Sequence, residues 1–316
     1  MRIRFGYVAI ALGITQGSPN KTVTIKNLDK IRDMDDRYFR LHTILKENLE
    51  TTLRILRYNI AHQIHLYRFT SKTVPLATHN TYRGWDYITE FKNYWEAIGL
   101  IIRQQGMRVS AHPDHFTVLN SPKPEVLAAS ILDLNYHSAI LEAMKLPAEP
   151  QLVIHVGGLY KNKELSLRKF KTEFTSLSEN LRSRLILEND DKAYSASDVL
   201  ALCQEVDCPM VLDIHHHACL PSGSLSSLWP EILKTWKGGI PKIHVSSPKS
   251  KKDFRSHADY IDPINFLDFL KSAKEYNHDF DVMVEAKAKD LAMFRLIEDL
   301  SEIAGTKRID LTTIEI

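Results

Sequence analysis

The chain has 316 residues, of which 44% are hydrophobic, 9% aromatic and 25% charged, and its net charge is only +2. This is the composition of an ordinary soluble globular protein with enough length for a substantial core. It lacks the strong basic field that announces a nucleic-acid binder, although a local patch stays open, and no apolar run approaches the ~20 residues that span a bilayer.

The opening "MRIRFGYVAIALGI" carries early positive charge and an apolar run, but Gly6 and Gly13 interrupt it and no clean A-x-A site follows. It reads as a first strand rather than a signal peptide. Further runs of strand length occur at "HLYRFT", "MRVSAH", "LVIHVGG", "RLILEND", "MVLDIHH", "PKIHVSS" and "FDVMVEAK". Helix-like segments separate them. Leu41, Leu45, Leu49, Leu53 and Leu56 recur at helical spacing after the first run. The segment after the second run ends on Gly106, a plausible C-cap, and the one after the third opens at Ser121 before Pro122. Other helical segments include "SASDVLALCQEV", "LSSLWPEILKTWKG" and "DLAMFRLIEDLSEIAG".

Eight strand candidates, each followed by a helix candidate, predict parallel strands closed into a (β/α)₈ TIM barrel, one domain over residues 1–316. An open doubly wound sheet is the alternative, but the chain has neither a G-x-G-x-x-G opening nor a Walker A motif. Cys203, Cys208 and Cys219 form no CxxC pair. They fit small buried residues in a reducing compartment, so a cytoplasmic location is expected.

In a barrel the carboxyl ends of all strands meet on one face, where active sites are built. His112 ends the third run, His155 lies late in the fourth, and Glu188 closes the fifth. Asp213 and His216 close the sixth, Lys242 and His244 lie in the seventh, and Glu285 ends the eighth. Loops add His79 and His257. A lone histidine at a strand end is more often structural than a ligand. Six consecutive strands ending in such groups are another matter, because buried imidazoles and carboxylates are costly unless paired or metal-bound. Imidazoles mixed with carboxylates suit Zn²⁺, Mn²⁺ or Fe²⁺ better than ions that prefer all-oxygen shells. The ligand count exceeds what one ion needs and suggests two or three, with Glu188 and Asp213 as bridges. Such clusters suit phosphoryl displacement. Lys242 is a cation beside these ligands: it either faces a substrate phosphate or is converted to an anionic carbamate.

The segments "HPDHF", "HVGG", "LENDD", "DIHHH", "PKIHVSSP" and "HADYID", in this order and at these intervals, resemble the UV damage endonucleases. The resemblance runs from "RFGY" to "VEAK" and implies a TIM barrel akin to AP endonuclease IV. It implies up to three metal ions, often manganese (with zinc, cobalt or magnesium as alternatives), and incision immediately 5′ to UV photoproducts, leaving 3′-hydroxyl and 5′-phosphate ends. The implied ligands are His79, His112, His155, Glu188, Asp213, His216, Lys242, His244, His257 and Glu285, with Lys242 N6-carboxylated. Glu188, Asp213, Lys242 and Glu285 would carry the catalysis. Two adjacent residues that probe the strand opposite the lesion, Gln-Tyr in some members, are His115-Phe116 here, which narrows the support for lesion breadth. Tyr7 matches a tyrosine near the lesion pocket; a nearby asparagine of some members is Ala11 here.

Surface chemistry adds "SPKSKKDFR", with Lys249, Lys251, Lys252 and Arg255, and "YKNKELSLRKFK", both placed to contact phosphates. Phe116, Tyr7 and Tyr160 are candidates for stacking on bases. The expected partner is double-stranded DNA carrying UV lesions, met by a monomer with no membrane association. A metallo-barrel sugar isomerase or epimerase is the competing enzyme reading, and a non-catalytic damage-binding barrel the competing binder. Strand alternation would pair Asp213 with His215 and His217, whereas the resemblance pairs it with His216. The conflict resolves in favour of His216 if the strand ends after Asp213 and the backbone turns there, leaving His215 and His217 to support the ligands.

Overall fold

The apolar runs become strands because both of their faces are covered, as parallel sheets require. In the computed structural model, which describes residues 1–316 apart from the side chain of Asn265, these strands are β1 Arg2–Val8, β2 Leu66–Phe69, β3 Arg108–Ala111 and β4 Leu152–His155. They continue as β5 Leu185–Glu188, β6 Met210–Asp213, β7 Lys242–Val245 and β8 Phe280–Val284. All pair in parallel in sequence order, and β8 pairs back to β1, so the sheet closes into the expected barrel. Gly6 is where β1 and β2 come closest: a Cβ there would lie 2.2 Å from the Leu66 carbonyl oxygen.

Helices wrap the outside, the longest being Met34–Ala61, which buries Leu41, Leu45, Leu49 and Leu56 as its spacing predicts. The helix Lys92–Gln104 is closed by Gly106 at φ +56°, the left-handed C-cap position. The next helix begins at Pro124 rather than Ser121; the Ser121 hydroxyl instead accepts from the Lys123 N–H, just short of the first turn. Two short strands went unforeseen, β9 Lys307–Arg308 and β10 Thr313–Glu315, with β10 antiparallel to β1. No helix among the described residues is long and apolar enough to cross a membrane. Cys203 and Cys208 are free and buried, and Cys219 is partly so.

The barrel interior is layered. Val153, Ile186 and Val211 form a small apolar cluster with Trp236. Each lies two residues before His155, Glu188 and Asp213 and shares that residue's side of the strand. At the amino-terminal end, buried Asp281 holds Arg4 (2.7 Å) and Arg108 (2.7 Å), and Arg108 lies 5.2 Å over the Trp236 ring. The other end of the barrel is lined by titratable groups.

Candidate metal centre

Strands β3 to β8 each deliver a titratable side chain to the carboxyl end of the barrel. His155, Glu188 and Asp213 are the last residues of their strands, His244 is the third residue of β7, and His112 and Glu285 directly follow β3 and β8. Parallel pairing sets His155 beside Glu188 and Asp213 beside His244. Buried Glu188 sits at the centre. Its Oε2 is 3.0 Å from His112 Nε2 and 3.7 Å from His155 Nε2. Its Oε1 is 2.8 Å from His244 Nδ1 and 3.7 Å from His216 Nδ1. Ligand atoms of His112, His155 and Glu188 lie within 4.8 Å of one another, and so do those of Glu188, Asp213, His244 and Glu285. Glu188 belongs to both groups.

Three of the histidines are oriented by the main chain. The Nδ1–H of His112 donates to the Pro113 carbonyl (2.9 Å), that of His155 to Glu188 (3.2 Å) and that of His216 to Asn189 (2.9 Å). A carbonyl can only accept, so Nδ1 carries a proton and Nε2 is left as the candidate ligand atom. This arrangement is common for metal-binding imidazoles.

The triplet "HHH" is resolved by a change of secondary structure. Strand β6 stops at Asp213 and a short helix, Ile214–Cys219, begins at once. Asp213 caps it, its Oδ1 accepting from the His216 N–H at 2.7 Å. Three residues along a helix share a face, and His216 Nδ1 lies 3.8 Å from Asp213 Oδ2. His215 turns away toward Phe254 and His257, with ring centroids at 5.6 and 5.7 Å. His217 is buried. Alanine at His216 should therefore lower bound metal by roughly 10²-fold, while His215→Ala should cost at most about tenfold, the lower range for residues behind a ligand. Metal titration of the two variants checks both, and equal losses would sink the distinction.

Protons compete with metal here. Burial lowers the affinity of His216 for a proton, but the Asp213 and Glu188 carboxylates outweigh it and raise the pKa to about 9. His244 behaves alike: burial opposes, Glu188 and Glu285 prevail, and it reaches about 9. Glu188 is held well below its ordinary value, because the imidazoles of His244 and His155 overcome the cost of burial. Without metal both His216 and His244 thus hold a second proton at neutral pH, and metal must displace it. Apparent metal affinity should rise from pH 7 to about 9 and flatten above, a trend isothermal titration in several buffers can follow. Affinity that falls over this range would reverse the assignment.

The donor set fits divalent ions. Three carboxylates converge here, and Asp213 Oδ2 and His244 Nε2 are buried atoms with no hydrogen-bond partner among the described residues. Such orphaned polar atoms are costly unless a cation completes them.

Other candidates lie as follows. A cleft of ≈ 680 Å³ opens over the cluster and is lined by His112, His155, His216 and Glu285 together with His115 and His257. The ring of His257 lies 6.3 Å from that of His216, but His257 joins neither ligand group. His79 joins neither group and does not line the cleft; its Nδ1 accepts from the Thr81 N–H (3.3 Å), capping a turn. Tyr7 is fully buried, with its hydroxyl donating to Asn59 (2.7 Å) and its ring packed on Tyr67. Lys242 is fully buried inside the barrel and its Nζ has no partner among the described residues. Phe116 is 52% exposed beside His115. Lys249, Lys251 and Lys252 are exposed on the loop after β7, where Lys249 faces Asp253 at 3.7 Å. The basic run after β4 is neutralised instead: Lys163, Arg168, Lys169 and Lys171 pair with Asp198, Glu164, Glu173 and Glu205.

Two residues escaped the sequence reading. Asn189, inside "LENDD", donates from Nδ2 to the Asp213 carbonyl (3.0 Å) and accepts the Asp213 N–H (2.9 Å), clamping β5 to β6 where their carboxylates emerge. Arg68 on β2 pairs with Glu285 and lines the cleft. A single arginine in a strand gives no signal of its own, because its partner lies 217 residues away.

The profile of the family UV-endonuclease UvdE matches residues 3–316. A UV DNA damage endonuclease of Bacillus thuringiensis subsp. konkukian is 44% identical over 318 residues, covering 100% of both chains. The solved structure SacUVDE superposes with a TM-score of 0.84 at 30% identity, covering 95% of this chain and 98% of that one. Endonuclease IV of Thermus thermophilus shares the fold, with a TM-score of 0.55 at 11% identity over 95% of this chain and 100% of that one. With a full-length profile match and a full-length relative at this identity, the chain belongs to the UV damage endonuclease family.

Proposed function

We propose that the protein is a metal-dependent DNA repair endonuclease that incises the phosphodiester bond immediately 5′ to cyclobutane pyrimidine dimers and 6-4 photoproducts, leaving 3′-hydroxyl and 5′-phosphate ends. The observation that carries this reading is the carboxylate of Glu188, shared by two ligand groups at the floor of an open cleft, in a chain of this family. Two or three divalent ions, manganese foremost, would supply Lewis acidity and activate water for attack on phosphorus. His112, His155, His216, His244, Asp213 and Glu285 surround Glu188 as the holding set, with Asn189 fixing the Asp213 main chain and Arg68 orienting the Glu285 carboxylate. Lys242 supports the carbamate reading over a phosphate contact, because it is buried beneath the cleft. Burial, then the nearby Arg108 charge, lowers its pKa to about 7, so free amine is present near neutral pH. Addition of that amine to CO₂ with loss of a proton gives an anion in an interior that already holds Arg68 and Arg108.

The decisive experiment is nicking of UV-irradiated supercoiled plasmid. Incision should vanish with EDTA, return with Mn²⁺ and be absent on unirradiated plasmid; metal-loaded protein that leaves irradiated plasmid intact would refute the reading. Phe116 is the exposed aromatic beside the cleft, suited to enter the stack opposite a lesion. Phe116→Ala should lower kcat/KM on a dimer-containing duplex by roughly tenfold or more, from a stacking energy of about 1–3 kcal/mol. Bound metal should stay at the wild-type level, and unchanged kcat/KM would remove Phe116 from lesion recognition.

A further inference from the structure

Four residues beyond Glu285 the chain makes a turn with an unusual backbone. Lys289, the first residue of the helix Lys289–Ser301, has φ +51°, in the left-handed region that lysine rarely adopts. The conformation is held from both sides. The Lys289 N–H donates to the Ala286 carbonyl (3.2 Å). The next residue, Asp290, is fully buried, and its carboxylate accepts the N–H groups of Leu12 (2.7 Å) and Gly13 (2.9 Å) and the Tyr58 hydroxyl (2.8 Å). Locally unfavourable backbone over-determined in this way clusters at ligand-binding positions.

The side chain that this turn presents lines the cleft with Arg68 and Glu285. Lys289 is partly buried, and its side chain makes no hydrogen bond or ion pair among the described residues. Glu285 does not need it, since its carboxylate already meets Arg68 and, at 3.0 Å, His244 Nδ1. A lysine with no anion in ion-pair contact therefore stands at the edge of the cleft where the proposed cleavage takes place. We propose that Lys289 Nζ binds a non-bridging oxygen of a backbone phosphate on the incised strand next to the scissile bond. This rests on the endonuclease reading given above. A lysine is a compact point charge that meets phosphate without reading sequence, as incision at lesions in any sequence context requires. No bond is made or broken by Lys289; it positions the strand.

The test uses the metal-loaded enzyme, wild type and Lys289→Gln and Lys289→Arg variants, with a duplex carrying one dimer. Lys289→Gln should raise KM about tenfold with kcat little changed, the pattern of lost uniform binding. Plotted as log affinity against log salt, its slope should be shallower by about 0.9, the value for one phosphate contact. Lys289→Arg should restore most of both. A neutral methylphosphonate placed in turn at each phosphate flanking the scissile bond should reproduce the defect at one position, where Lys289→Gln then adds nothing. A wild-type salt slope in Lys289→Gln, or loss of bound metal from it, overturns the contact while leaving the endonuclease reading intact. Failure of the wild type to nick irradiated DNA overturns both.

Discussion

Replacing Glu188 by glutamine is expected to cut the rate of nicking of irradiated plasmid by roughly 10³-fold or more, and to lower the metal content of the purified protein. Glu188 is the one side chain common to the two ligand groups, with four imidazoles disposed around its two oxygens. Glutamine preserves shape but removes the anion and presents an N–H donor where a cation is to sit. Loss of several kcal/mol of charge stabilisation corresponds to about three orders of magnitude in rate, at tenfold per 1.36 kcal/mol. The cluster is already short of partners, so the fold should survive: far-UV circular dichroism is expected to match wild type. An enzyme that still nicks within tenfold of wild type would show that Glu188 is not central, and a damage-binding protein would show no cleavage to lose.

The second large effect lies at the opposite end of the barrel and concerns stability. Asp281 is fully buried on β8 and is the common anion for Arg4 on β1 and Arg108 on β3. Asp281→Asn strands two guanidinium groups that are only 26% and 19% exposed. Removing one member of a buried ion pair typically costs about 3–5 kcal/mol, and partial exposure of both arginines argues for the lower end. Thermal unfolding should shift downward by on the order of 10 °C. Metal content measured well below the transition should be unchanged, because the amino-terminal face of such barrels serves stability and the carboxyl-terminal face serves chemistry. An unfolding temperature within about 3 °C of wild type, equivalent to about 1 kcal/mol, would refute this account of the Asp281 ion pairs.

The barrel was legible because most strands are short apolar runs stopped by a polar residue, and that stop marks where the strand leaves the core. The same feature exposed Glu188, Asp213 and Glu285. Less legible were the features that depend on where a strand gives way to something else. Strand alternation chose His215 and His217 over His216 because it assumed that β6 continues, whereas Asp213 ends it by capping a helix. The hydrogen bond of Tyr7 to Asn59 and its packing on Tyr67 are long-range contacts that its place in an apolar run does not announce. Strands β9 and β10 are two and three residues long, too short to show alternation. Arg68 and Asp281 were invisible for a different reason: their meaning comes from partners that only closure of the barrel brings near.

The cap on that six-residue helix has a mechanical consequence. Asp213 holds the His216 amide with one oxygen and offers the other, orphaned one to the cluster, so the carboxylate joins the backbone of Ile214–Cys219 to whatever charge is bound beneath it. Amide hydrogen exchange at residues 216–219 should therefore report on the distant wall of the site. Substituting Glu285, which follows another strand and touches none of these amides, should speed their exchange, making the histidine helix a built-in gauge of how completely the centre is filled.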